Sequence, residues 1–144
     1  MAGDEDDPLT TEDWIKKSKE NLKAARVLSK AGLERKAFLD AGMAVECSLK
    51  YAVMRAAGMN SWPTQSDRRD LHIHDLPALA RIAGLESRFL NEVEQVTSLG
   101  LAWMVVKDWK IGTRYSMRSF PKVRSREMIK AATEVTQWLQ TQWL

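Results

Sequence analysis

The sequence has one cysteine, Cys47, two histidines, His72 and His74, and four prolines in 144 residues. A single cysteine excludes an internal disulfide and any cysteine-built metal site. The longest uninterrupted apolar run, residues 101–106, is far too short to cross a bilayer. No stretch alternates β-branched and polar residues between turn signals, so strands are not expected. The first thirteen residues hold six acids (Asp4, Glu5, Asp6, Asp7, Glu12, Asp13) and no base. A secretory signal opens instead with positive charge and a hydrophobic block. The expectation is a cytoplasmic protein, without a membrane partner, in which an acidic flexible leader (1–9) precedes a single domain (10–144).

Apolar residues make up 44% and charged residues 28%, enough for an ordinary core. Lys and Arg number 22 against 19 Asp and Glu, a net charge of +3. Because six acids lie in front, residues 14–144 carry +9. A basic body points to an anionic partner such as RNA, DNA or nucleotide, or else to a solvated basic face. Charge alone does not choose between them.

The composition favours helix formers throughout. Thr10 and Asp13 have capping-box spacing, so a first helix starts there, turns Ile15, Leu22, Ala25 and Leu28 inward, and stops near Gly32. Phe38, Gly42, Val45, Leu49, Ala52 and Ala56 form one stripe on a second helix that ends at Gly58. Small residues around that stripe (Ala37, Ala41, Ala44, Cys47, Ser48) allow close neighbours, and Cys47 reads as a packing residue. Asn60, Trp62-Pro63, Ser66 and Asp67 mark a loop. Asp75 caps a short third helix with Pro77 in its first turn and Gly84 at its end. A fourth helix is expected over 86–106, then an irregular stretch over 107–124 with Gly112 and Pro121. Ser125 is expected to cap a final helix burying Met128, Ala132, Val135 and Leu139. The implied fold is all-α: an antiparallel four-helix up-and-down bundle with an additional short helix, five in all.

Several residues carry chemistry. Glu46 and Lys50, at i and i+4, read as a helix-surface pair worth a few tenths of a kcal/mol, unless Lys50 faces a groove and meets a phosphate. His74 can hydrogen-bond or pack where the loop enters the bundle while Asp75 caps. A zinc site from His72, His74 and Asp70 or Asp75 would rest on two alternating histidines alone, so no metal is expected. The electrostatic signal is strongest over residues 107–130. Eight bases (Lys107, Lys110, Arg114, Arg118, Lys122, Arg124, Arg126, Lys130) face two acids there, with Trp109, Tyr115 and Phe120 interleaved. Bases attract phosphates and aromatic faces stack nucleobases, although plugging aromatics and solvated bases would give the same pattern. Arg114 could instead pair with a buried acid such as Glu46. The bases of residues 16–36 read as the outer side of an amphipathic helix.

Three pieces in order carry a resemblance: Ala41-Gly-Met-Ala-Val-Glu46-Cys-Ser-Leu49-Lys50-Tyr-Ala52, His74-Asp75-Leu76-Pro-Ala-Leu79, and Arg114-Tyr115. Over nearly the whole chain the sequence resembles the HEPN family. That resemblance implies a five-helix bundle that usually dimerises, in toxin–antitoxin, defence or RNA-processing systems, often beside a nucleotidyltransferase-type antitoxin. Many members are metal-independent ribonucleases using an Arg, four to six residues, then a His; others are binding or scaffold modules. The His would move a proton near neutral pH and the Arg would hold the scissile phosphate. Arg68 or Arg69 with His74 meets the spacing. In the ribonuclease members, however, the motif lies by a late helix, which corresponds here to Arg114, and no His follows Arg114. The leading expectation is therefore a non-catalytic module, without cofactor, that binds nucleotide, RNA or a protein partner. An RNA-cleaving toxin using Arg68 or Arg69 with His74 is the alternative, and a purely structural dimerisation domain the second. Six tryptophans point to rings at a homodimer interface.

Overall fold

The structure, a computed structural model, describes residues 6–143, so residues 1–5 of the expected leader lie outside the described residues. Six α-helices follow in order: α1 (Thr11–Lys30), α2 (Glu34–Ala57), α3 (Leu76–Ile82), α4 (Glu86–Glu94), α5 (Ser98–Val106) and α6 (Lys122–Thr141). Single 3-10 turns occupy Arg69–Leu71 and Ile111–Tyr115. No strand occurs among the described residues, and no helix among them is long and apolar enough to cross a membrane.

Local signals set several boundaries as expected. The Thr10 hydroxyl accepts the Asp13 amide at 3.1 Å while the Asp13 carboxylate accepts the amides of Thr10 and Leu9 at 3.0 and 2.9 Å. Asp75 accepts the Ala78 amide at 3.0 Å and starts α3. Gly58 ends α2 in the left-handed conformation, φ 65°, which costs glycine nothing. The expected leader is anchored at its last residue, where the Leu9 carbonyl accepts the Trp62 amide at 2.7 Å.

Two expectations fail. The fourth helix breaks into α4 and α5, giving six helices rather than five, and three long ones rather than four. At the break Val96 takes φ 54°, and the Thr97 hydroxyl accepts the Gly100 amide at 3.0 Å to open α5. Gly100 is what lets the two halves fold onto each other: a Cβ there would collide with the Glu92 carbonyl. The last helix starts at Lys122 behind Pro121, not at Ser125. Proline fits a helix start because its missing N–H has no partner to lose there. Ser125 lies inside α6, its hydroxyl donating to the Lys122 carbonyl and the Glu34 carboxyl.

Helix α2 is the axis, packed by α1 and α6, with α5 along α6, α4 on α5 and α3 on α2. Its predicted stripe is buried from Phe38 to Ala52, but so is nearly everything else between Ala37 and Met54. Small polar residues stitch the three long helices together. Ser18 bonds the Ala44 carbonyl at 2.7 Å and Ser48 at 2.8 Å, and Gln140 donates to Ser48 at 3.1 Å. The tryptophans serve the interior. Trp14, Trp62, Trp103 and Trp109 are buried and Trp138 and Trp143 half-buried, so indoles do not form an outer apolar face.

Candidate functional site

Two polar clusters lie along α2, one at its first turn and one at Glu46 and Lys50. Twelve residues separate Glu34 from Glu46, about 18 Å of helix.

The first cluster forms where the basic stretch 107–130 docks on the start of α2. Trp109 anchors it: the indole occupies the space a Cβ on Gly42 would need. From there the 3-10 turn Ile111–Tyr115 packs on α2. Arg35 donates to the Arg118 carbonyl, holding the connection down. The Arg124 guanidinium stacks 4.9 Å from the Phe38 ring and 4.8 Å from the Phe120 ring. Beside these contacts opens a cavity of about 550 Å³, walled by Gly32, Leu33, Glu34, Arg35, Lys36, Leu39, Arg114 and Phe120. A neighbouring cavity of about 590 Å³ is lined by Arg26, Ser29, Lys30, Lys122, Arg126, Ile129 and Lys130.

Arg114 and Tyr115 are exposed, with the guanidinium 4.7 Å from its neighbour's ring. Lys107 pairs with Asp108 at 3.1 Å, whereas the exposed side chains of Lys110 and Arg118 make no ion pair among the described residues. Arg114 does not meet Glu46, which has other partners. The first-cluster residues Glu34, Arg35 and Lys36, and Arg26 and Lys30 beside them, were not singled out from sequence. All four of these bases belong to the stretch 16–36 that reads as a separate solvated face, yet they share cavities with Arg114, Lys122 and Arg126. The signal available for them was only their place at the α1–α2 turn.

The second cluster corrects the surface-pair reading of Glu46 and Lys50. Their side chains are 3% and 8% exposed, with Lys50 Nζ 3.2 Å from Glu46 Oε2. The ammonium also lies 5.3 Å from the Trp14 ring and 5.7 Å from the Trp62 ring. Glu46 Oε1 is 2.6 Å from His74 Nδ1. The His74 ring is half-exposed and hydrogen-bonded to this buried carboxylate, the first of the two contacts expected where the loop enters the bundle. His72 turns away, its Nε2 2.8 Å from the Pro63 carbonyl. Among the described residues no group of three or more His, Cys, Asp or Glu is placed to hold a metal ion.

Arg68 forks onto Asp70, with Nε–Oδ1 at 2.9 Å and Nη2–Oδ2 at 2.8 Å. The bond raises the Arg68 pKa and lowers that of Asp70. Arg69 is exposed in the adjoining 3-10 turn. Burial pushes the Cys47 thiol up to about 12, as suits a packing residue and not a nucleophile.

A family model described as the HEPN domain matches residues 11–142. Neither the curated proteins nor the solved structures contain a match.

Proposed function

The chain belongs to the HEPN domain family, and from that premise we propose that it is a non-catalytic binding module for a phosphate-bearing ligand, nucleotide or RNA. The observation that carries this reading is the 550 Å³ cavity at the start of α2, where Arg114 and Phe120 of the basic stretch meet Arg35 and Lys36. Cations supply the phosphate contacts and the rings of Phe120 and exposed Tyr115 supply stacking faces. Lys107, Lys110 and Arg118 add positive charge on the same stretch of chain as Arg114.

Binding of nucleotides and a short RNA, followed by fluorescence anisotropy over a salt series, tests it. Arg114→Ala and Lys110→Ala weaken binding and flatten its salt slope by about one each, while Lys19→Ala and Lys23→Ala on α1 change little. Equal losses from both pairs, or no binding at any salt, overturn the proposal.

The setting we assign is cytoplasmic, in a toxin–antitoxin or defence system, with a nucleotidyltransferase-type antitoxin or other protein as partner. Homodimerisation is supported by α5, which has no charged residue and leaves Leu101, Met104 and Val105 41–57% exposed. One observation favours a second reading, RNA cleavage by His74 with Arg68 or Arg69. A buried carboxylate orients the half-exposed imidazole through Nδ1, the arrangement a general base uses. RNA cleavage by the purified protein, lost in His74→Ala, would replace the binding reading with this one.

A further inference from the structure

The first residue of α2 stands out in that cavity. Glu34 is 8% exposed, an acid in a wall that also carries Arg35, Lys36 and Arg114. Its Oε2 accepts the Ser29 hydroxyl at 3.1 Å and the Ser125 hydroxyl as well, one from α1 and one from α6. Its Oε1 is buried and has no hydrogen-bond partner. None of the nearby cations pairs with it: Arg35 serves the Arg118 carbonyl, Lys36 pairs with Asp40 at 3.5 Å, and Arg114 lies on Tyr115. Buried polar groups in folded proteins are nearly always satisfied, so an orphan carboxyl oxygen in a cavity wall calls for a partner.

A site built only to attract phosphate would not hold an acid in its wall, since like charges repel. A ligand that carries both an anionic group and N–H donors resolves the conflict. A nucleoside phosphate with an amino-bearing base does this: adenine, cytosine and guanine each offer an exocyclic NH₂. Uracil offers one N–H flanked by two carbonyls, which a carboxylate repels. Phe120 supplies the apolar face for the base, and a cavity of this size suits a small molecule.

Resting on the phosphate-binding reading above, we propose that Glu34 selects the base, accepting a hydrogen bond from its amino group while Arg114 and Lys36 hold the phosphate. Oε1 is screened from water in the unliganded protein, so the Glu34 side chain gives up a hydroxyl partner and turns toward the cavity as the ligand binds.

The test is calorimetric titration of the purified protein with AMP, CMP, GMP and UMP, and with inorganic phosphate. At least one amino-bearing nucleotide binds about tenfold tighter than UMP, the discrimination one well-placed base contact gives. Glu34→Gln, whose amide donates to a uracil carbonyl, removes that preference, while Arg114→Ala weakens all four nucleotides alike. Equal binding of all four nucleotides by the unaltered protein overturns the role of Glu34 and leaves phosphate binding standing. Binding of no nucleotide and no phosphate overturns both. A preference that survives in Glu34→Gln assigns base selection to another residue and also refutes the proposal.

Discussion

Replacing Glu46 by Gln keeps shape and a bond to His74 but removes the charge opposite Lys50. The Lys50 ammonium is left in a site where its side chain is 8% exposed, facing the Trp14 and Trp62 rings at 5.3 and 5.7 Å. Breaking a buried pair from one side costs about 3–5 kcal/mol, because the remaining charge stays desolvated. The two indole faces lie against the ammonium with or without the Glu46 charge and ease its desolvation, which puts the loss at the lower end of that range. The expected loss for Glu46→Gln is therefore about 3 kcal/mol, a large share of the roughly 5–15 kcal/mol that holds a domain folded. Lys50→Met is expected to cost less, because Glu46 retains His74 as a partner at 2.6 Å. The double change Glu46→Gln with Lys50→Met removes the stranded charge and is expected to be more stable than Glu46→Gln alone. Urea unfolding followed by far-UV circular dichroism, with unchanged slope, measures all three. Losses within about 0.5 kcal/mol for both single changes, the size of an exposed i,i+4 pair, would refute the argument. So would a larger loss from Lys50→Met than from Glu46→Gln.

Gly42→Ala gains up to about 1 kcal/mol of helix propensity, but its Cβ overlaps the Trp109 indole. Overpacking costs about 1–3 kcal/mol, so the expected result is net destabilisation with a shifted tryptophan emission. A more stable protein with unchanged emission would show that Trp109 does not sit on Gly42. The amides of Leu9 and Thr10 hold the Asp13 carboxyl below its ordinary range. A carboxyl depressed in the folded state adds stability above its unfolded pKa and loses it as pH falls through the folded one. Thermal melts between about pH 6 and pH 2 are expected to show a shallower acid decline for Asp13→Asn than for the unaltered chain. Parallel curves would remove Asp13 from the acid response.

The α4–α5 break and the early start of α6 show where reading along the chain stops working. Hydrophobic spacing runs smoothly through Val96, so residues 86–106 read as one helix. The competing signal is Thr97, whose hydroxyl caps α5, and it prevails because Gly100 lets the helix fold back against the Glu92 carbonyl. Ser125 has the side chain of a cap, but Glu34, 91 residues away, takes its hydroxyl. The basic stretch 107–130 is legible as charge, whereas the acid in the wall of its cavity is not.

The helical class, the Thr10–Asp13 box, the Asp75 cap, the Gly58 stop and the positive charge of residues 107–130 all follow from the sequence itself. Each depends on residues a few positions apart, whose geometry the helix sets, or on composition. Tertiary structure alone decided that Glu46 and Lys50 are buried, that His74 reaches a carboxylate, and that Glu34 lines a cavity together with Arg114. Burial and partnership are set by what packs against α2 from distant parts of the chain, and i,i+4 spacing is the same on a covered face as on a solvated one.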